Sequence, residues 1–121
     1  MTEWSVSWKM TNDKSGLLGI CRKAGRMKLG MDTAKSACDL GEAKAVFTAS
    51  DLSARSLKEM RFCGAKNGVP VYRLGMTMQQ IGSAVGKVTG IIAVTDPGFA
   101  KSLAKGAEDV SADINEFFND I

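Results

Sequence analysis

Between Arg26 and Lys35 the chain gathers the residue types that hold a phosphate. Lys28 and Lys35 place ammonium groups on either side of Gly30, and Gly30 stands where a short extended piece meets a helix start. The first N–H groups of a helix lack an intrahelical acceptor, and the positive dipole end beside them favours an anion. Flanking lysines add an attraction that salt weakens. A glycine at the junction lets a polymer backbone approach closely, and Asp32 or Thr33 offers a group for a base edge. The chemistry implied is non-covalent capture of a polyanion.

Other chemistries find little to work with. There is no histidine, which removes the commonest general base and the most frequent metal ligand. Cys21, Cys38 and Cys63 are odd in number and widely spaced, which argues against a disulfide framework or a zinc site. Each lies on an apolar helical face and is expected in the core. Gly82-Ser83-Ala84-Val85-Gly86-Lys87-Val88 resembles a phosphate-binding loop, but its glycine spacing is wrong and no Ser or Thr follows the lysine. Asp51 and Asp96 end strands, where carboxylates can bind a metal or act as a base. Both directly precede helices, so capping is the expected role. No enzyme activity, metal or cofactor is expected.

Charge is unevenly distributed. All 16 Lys and Arg lie in residues 1–107 with 8 acidic residues, a balance of +8; residues 108–121 carry five acids and no base, −5. A basic body with an acidic tail suits a polyanion binder. The tail is expected to dock against or screen the basic face, so that its removal would tighten binding.

The elements that must position these residues alternate in type. Asn12 or Asp13 caps a helix bearing Leu17, Leu18, Cys21 and Ala24, closed by Gly25. Met27–Gly30 is extended, and a second helix runs from about Met31 to Leu40, stopped by Gly41. Ala45–Ala49 reads as a buried strand, and Ser50-Asp51 offers a cap to a third helix ending near Asn67-Gly68. A strand over Val69–Leu74 must keep Pro70 at its start or edge. Thr77 caps a helix from Met78 to Val85; Gly90–Thr95 is the clearest strand; Asp96-Pro97 opens a helix running towards Ala107. Apolar strands between helices imply a sheet covered on both faces, a three-layer α/β/α sandwich with about four strands in a small mixed sheet.

At 121 residues with 45% hydrophobic and 24% charged composition, the chain reads as one globular domain. The reading divides it into an N-terminal extension (1–11), a domain (12–107) and an acidic amphipathic tail (108–121). No apolar run reaches the roughly 18 residues of a membrane span and no secretory signal is evident, so the expected compartment is the cytoplasm.

Several runs together resemble a known family. Gly16-Leu17-Leu18-Gly19-Ile20-Cys21-Arg22-Lys23-Ala24-Gly25-Arg26 is similar to the opening of bacterial YlxQ-like proteins, in the superfamily of ribosomal proteins L-seven-Ae and L-thirty-e. Leu29–Asp32, Ala43–Val46, Ala49–Ser53, Gly68–Val71, Ile81–Lys87 and Ile92–Ala100 follow in the expected order, so the resemblance covers about residues 12–105. It implies an α/β/α sandwich that binds kink-turn or related internal-loop RNA, with ribosomal RNA and ribosomal proteins as partners. By position it carries RNA contacts to Gly30, Met31, Asp32, Thr33 and Ser36, to Ser50 and Asp51, and to Lys87, Val88 and Thr89. Kink-turn readers of the family carry Asn-Glu or Lys-Gln where Asp32-Thr33 stand here, and a lysine at Ser36. Those substitutions imply general RNA binding more than kink-turn specificity. They also leave a second reading, a protein-interaction module of the same fold, to which Trp4, Trp8, Phe117 and Phe118 would contribute.

Overall fold

The computed structural model describes residues 14–112. Their elements, in chain order, are α1 (Lys14–Lys23), β1 (Met27–Leu29), α2 (Met31–Asp39), β2 (Ala45–Thr48) and α3 (Ala54–Asn67). They continue as β3 (Val71–Arg73), α4 (Met78–Val85), β4 (Ile91–Val94), α5 (Pro97–Ala104) and β5 (Glu108–Asp109). The expected cap at Asn12 or Asp13, the first eleven residues and the apolar positions of the tail lie outside the described residues.

The sheet order is β1-β4-β2-β3-β5. Among the described strands only β2 and β3 run parallel; the other pairs are antiparallel. Among the described residues the sheet has five strands rather than about four. The fifth comes from Glu108–Asp109, so the sheet continues past the boundary expected at 107. Two exposed acids have little strand propensity of their own; the strand forms because its neighbours hold it. Val110 N–H donates to Val71 O at 2.9 Å, Val71 N–H donates to Ser111 Oγ at 2.8 Å, and Arg61 Nε donates to Val110 O at 2.7 Å. Hydrogen bonds from Ser111, its side chain before its backbone N–H, hold the exposed Asp109 carboxyl below its ordinary range.

The central strands show why the domain has three layers. Every residue of β2 and β4 is buried, yet successive residues serve different cores. Ala45, Phe47, Ile92 and Val94 face Leu18, Cys21, Ile81, Val85, Ala100 and Leu103 from α1, α4 and α5. Val46, Ile91 and Ala93 face Ala34, Ala37, Cys38, Met60 and Cys63 from α2 and α3. The first layer is filled by large side chains, with Phe47 stacked on Tyr72 at 5.5 Å between centroids. The second draws mostly small side chains from its helices, Met60 being the large exception, and α3 rides close to the sheet at Gly64, where an added Cβ would stand 2.7 Å from Val71 Cγ2.

Local signals set most helix ends. Thr77 accepts from Gln80 N–H while Gln80 Oε1 accepts from Thr77 N–H, closing a capping box on α4. Asp96 accepts from Phe99 N–H at 2.9 Å ahead of Pro97, as expected. The third helix departs from expectation: its cap is Ser53, whose hydroxyl accepts from Ser56 N–H at 3.2 Å, rather than Ser50-Asp51. Helix α5 stops at Ala104 rather than near Ala107, and β3 is shorter than Val69–Leu74, with Pro70 just before it.

All three cysteines are free and buried. Burial, then the nearby Asp96, pushes the Cys21 thiol up to about 11; burial, then Cys63, pushes Cys38 up to about 12. Since the thiolate is the reactive form, labelling of the folded chain by a thiol reagent is expected to be at least ~100-fold slower than in denaturant. Stopped labelling with mass detection checks this, and any thiol reacting at the free rate would mark a helix that opens. Among the described residues no cluster of metal-ligating side chains occurs, and no helix is long and apolar enough to cross a membrane.

Candidate nucleic-acid interface

One end of the sheet collects three segments that are distant in sequence. Gly30 N–H donates to Ile91 O at 2.9 Å, tying the start of α2 to the first residue of β4. Ala49 N–H donates to Gly90 O at 2.9 Å, tying the β2–α3 loop to the residue just before it. The loop after α4, residues 86–90, therefore lies between the other two. Gly82 and Gly90 make this possible: an added Cβ would stand 2.9 Å from Val88 Cα in one case and 2.8 Å from Leu52 Cδ1 in the other.

Helix α2 opens on Gly30 at φ 95°, ψ 160°, a region essentially closed to other residues. No side chain caps this helix among the described residues, and the space where a Gly30 side chain would stand is open. The first-turn N–H groups of α2 therefore face outward with the dipole end, a ready place for an anion. Asp32 sits in that same turn and is exposed. Its carboxylate complements the dipole in the free protein and would compete with an incoming phosphate. Exchanging Gly30 for alanine is expected to lower stability by ~1–3 kcal/mol through backbone strain alone. Thermal unfolding measures it; an unchanged midpoint would mean that the backbone relaxes.

The expected contact residues divide into two groups. Lys28, Asp32, Thr33, Ser36, Asp51, Lys87 and Val88 are exposed, and Met31 is half-buried beside Gly30. Val88 is 63% exposed on this loop, so its side chain is open to a partner. Thr89, by contrast, is buried, and its hydroxyl donates to Ile91 O at 3.1 Å; it shapes the loop rather than presenting a group. Lys35 is half-exposed and turns away to Glu59 on α3, Nζ to Oε1 at 3.2 Å. Ser50 N–H donates to Met76 O at 2.8 Å, and Asp51 Oδ1 accepts from Met78 N–H at 2.9 Å. Asp51 is thus a helix cap as expected, but of α4 rather than α3.

One cation was missed by sequence reasoning. Arg73, at the end of β3, donates from Nη2 to Ser50 O at 2.9 Å and is exposed, so its charge stands at this same sheet end. The signal was available: β3 pairs in parallel with β2, Thr48 opposite Arg73, so both strands finish on the side where α2 begins.

The family model described as "Ribosomal protein L7Ae/L30e/S12e/Gadd45 family" matches residues 14–104. The chain belongs to this family. The match runs from α1 through α5 and stops short of β5. Among solved structures, a protein of unknown function from Bacillus halodurans C is similar at 28% identity and TM-score 0.71, covering 75% of this chain and 92% of that one. The Giardia lamblia 15.5kD RNA binding protein is similar at 17% identity and TM-score 0.66, covering 80% of this chain and 87% of the other. No curated protein sequence matches the chain. Family membership agrees with the three-layer architecture, and the three segments gathered at the α2 end are the ones to which the resemblance carried RNA contacts.

Proposed function

We propose that this family member is a small RNA-binding protein that grips an irregular structured RNA at the α2 end of its sheet. The observation that carries the reading is the uncapped, outward-facing start of α2 at Gly30, bonded to β4 beside the loop that presents Lys87 and Val88. Fixed N–H donors and cations suit a phosphate backbone. An exposed apolar tip suits bases unstacked from a loop, which irregular RNA offers and an A-form duplex hides. Family membership and the likeness to an RNA-binding protein support the same reading. The chain acts as a binding protein rather than an enzyme, its target is an internal loop such as a kink-turn, and ribosomal RNA in the cytoplasm is its source. The Gly16–Arg26 run supports a place in the bacterial YlxQ-like branch.

The test is binding to an internal-loop RNA against a plain duplex across a salt series. Preferential, steeply salt-dependent binding to the looped RNA is expected; an affinity indifferent to salt would instead favour a protein-interaction module. Asp32 supplies a sharper check. Removing its charge with Asp32→Asn should tighten RNA binding severalfold and steepen the salt slope by about one. Weaker binding would make Asp32 a reader of a base instead of a brake on phosphate.

A further inference from the structure

The end of the sheet proposed to take RNA also holds a concavity, set apart from the start of α2. A cleft of about 280 Å³ is lined by Ser50, Arg73, Leu74, Gly75, Gly106 and Glu108. It lies where β2 and β3 finish and β5 begins. Leu74 N–H donates to Thr48 O and Ser50 N–H donates to Met76 O, both at 2.8 Å, and these bonds shape its floor. The β2–α3 loop at its wall is the one that Ala49 ties to Gly90. Strand β3 stands three strands away from β1, so the cleft lies about 14 Å from Gly30, within reach of a few nucleotides.

Two opposite charges flank this cleft without meeting. Arg73 and Glu108 stand directly across the β3–β5 ladder, so their side chains leave the sheet on one face. No ion pair joins them. The guanidinium instead donates from Nη2 to Ser50 O at 2.9 Å, which fixes its fork at the rim and leaves further N–H groups open. Glu108 is exposed, and its carboxylate has no partner among the described residues. Gly75 and Gly106 carry no side chain, and a Cβ on Gly75 would meet nothing within 4 Å. Walls of bare backbone leave room for a flat ring. A carboxylate beside the cation argues against a lone phosphate and for a group that both accepts and donates.

Building on the RNA-binding function proposed above, we infer that this cleft takes a single unpaired guanine base of the bound RNA. Guanine O6 and N7 accept the paired donation of an arginine, which is the part given to Arg73. Its N1–H and amino group are adjacent donors, and a carboxylate such as that of Glu108 accepts from both. Adenine, cytosine and uracil lack that adjacent pair. The cleft falls just below the ~300–1,000 Å³ of ordinary small-molecule sites, so one base fits and a stacked pair does not. Bases splayed from an internal loop are the ones whose edges are open to such reading.

The first probe is an internal-loop RNA pool with its unpaired positions randomised, offered to the full chain and to Arg73→Lys, Glu108→Gln and Gly75→Leu. Arg73→Lys keeps the charge and loses the fork; Gly75→Leu enters open space at a residue without positive φ. The parent should enrich guanine at one unpaired position by about tenfold. Each variant should lose that preference while still binding the unselected pool. Enrichment that survives Glu108→Gln or Gly75→Leu overturns the inference, as does a parent that binds the pool with no base preference; either result leaves RNA binding itself standing. The second probe is guanosine monophosphate against adenosine monophosphate, read by amide NMR shifts. If the parent binds no RNA, the RNA-binding function falls and this probe decides the cleft alone. Guanosine-specific shifts at Ser50 and Gly106, lost in Gly75→Leu, would keep guanine as the occupant with a free nucleotide as its source. No shift there would overturn the inference.

Discussion

Replacing Lys28 and Lys87 together by alanine is expected to weaken binding of an internal-loop RNA by on the order of a hundredfold at low salt, about tenfold for each charge-assisted hydrogen bond removed. The slope of log affinity against log salt should fall by about two, one for each phosphate no longer neutralised. Both side chains are exposed, one on the edge strand β1 and one on the loop that lies beside Gly30. Lys35→Ala should do much less, because its ammonium is paired with Glu59 on the flank of α3. Exposed pairs of that kind contribute only ~0–1 kcal/mol to stability, so the Lys35 variant will still fold normally. Fluorescence anisotropy with a labelled RNA at several salt concentrations checks all three chains. If the Lys28/Lys87 chain keeps the parent's affinity and slope, the RNA sits elsewhere.

The largest stability loss from a single added methyl is expected at Gly64. A Cβ there would lie 2.6 Å from Val69 O and 2.7 Å from Val71 Cγ2. The first of these is backbone and cannot swing aside, so α3 would have to lift from the strand it covers. Alanine is the better helix former by ~1 kcal/mol, yet overpacking of this kind costs ~1–3 kcal/mol or more, and the clash should win. A fall in melting temperature of about 10 °C is the expected reading. Gly16→Ala provides the contrast, since nothing stands within 4 Å of its added carbon; propensity alone should raise stability by up to ~1 kcal/mol. Urea unfolding separates the two, and equal midpoints would mean that α3 does not sit this close to β3.

Elements whose causes are local were legible in the sequence. Thr77 with Gln80, Asp96 with Pro97, and Gly41 after α2 each carry their instruction within a few residues. So did the two-sided burial of β2 and β4, because uninterrupted apolar runs such as Ile91–Val94 leave no face for solvent. What could not be read were choices settled between distant residues. Ser50, Asp51 and Ser53 are all sound caps by type, and Asp51 was drawn off by Met78, 27 positions away. Lys35 stands beside Gly30 in sequence, but its ion-pair partner Glu59 lies 24 positions later and could not be read from that run. Glu108–Asp109 resembled tail because nothing within that pair makes a strand; Val71, Ser111 and Arg61 do. The candidate site was legible as three separate runs, and their meeting at one sheet end followed only from strand order.

The thin layer beneath α2 has a thermodynamic consequence. Ala34, Ala37 and Cys38, short side chains with little rotamer freedom, are buried in one cluster with Val46, Ile91 and Ala93, so the helix bearing Gly30 has little slack to lose. A protein surface that arrives already ordered surrenders little entropy on association. The ordering on complex formation would then belong to the RNA, whose loop must splay and stack to meet a fixed mould. Calorimetry should accordingly find binding heats that vary with the stiffness of the RNA's flanking stems, while protein variants that only stiffen α2 further leave them unchanged.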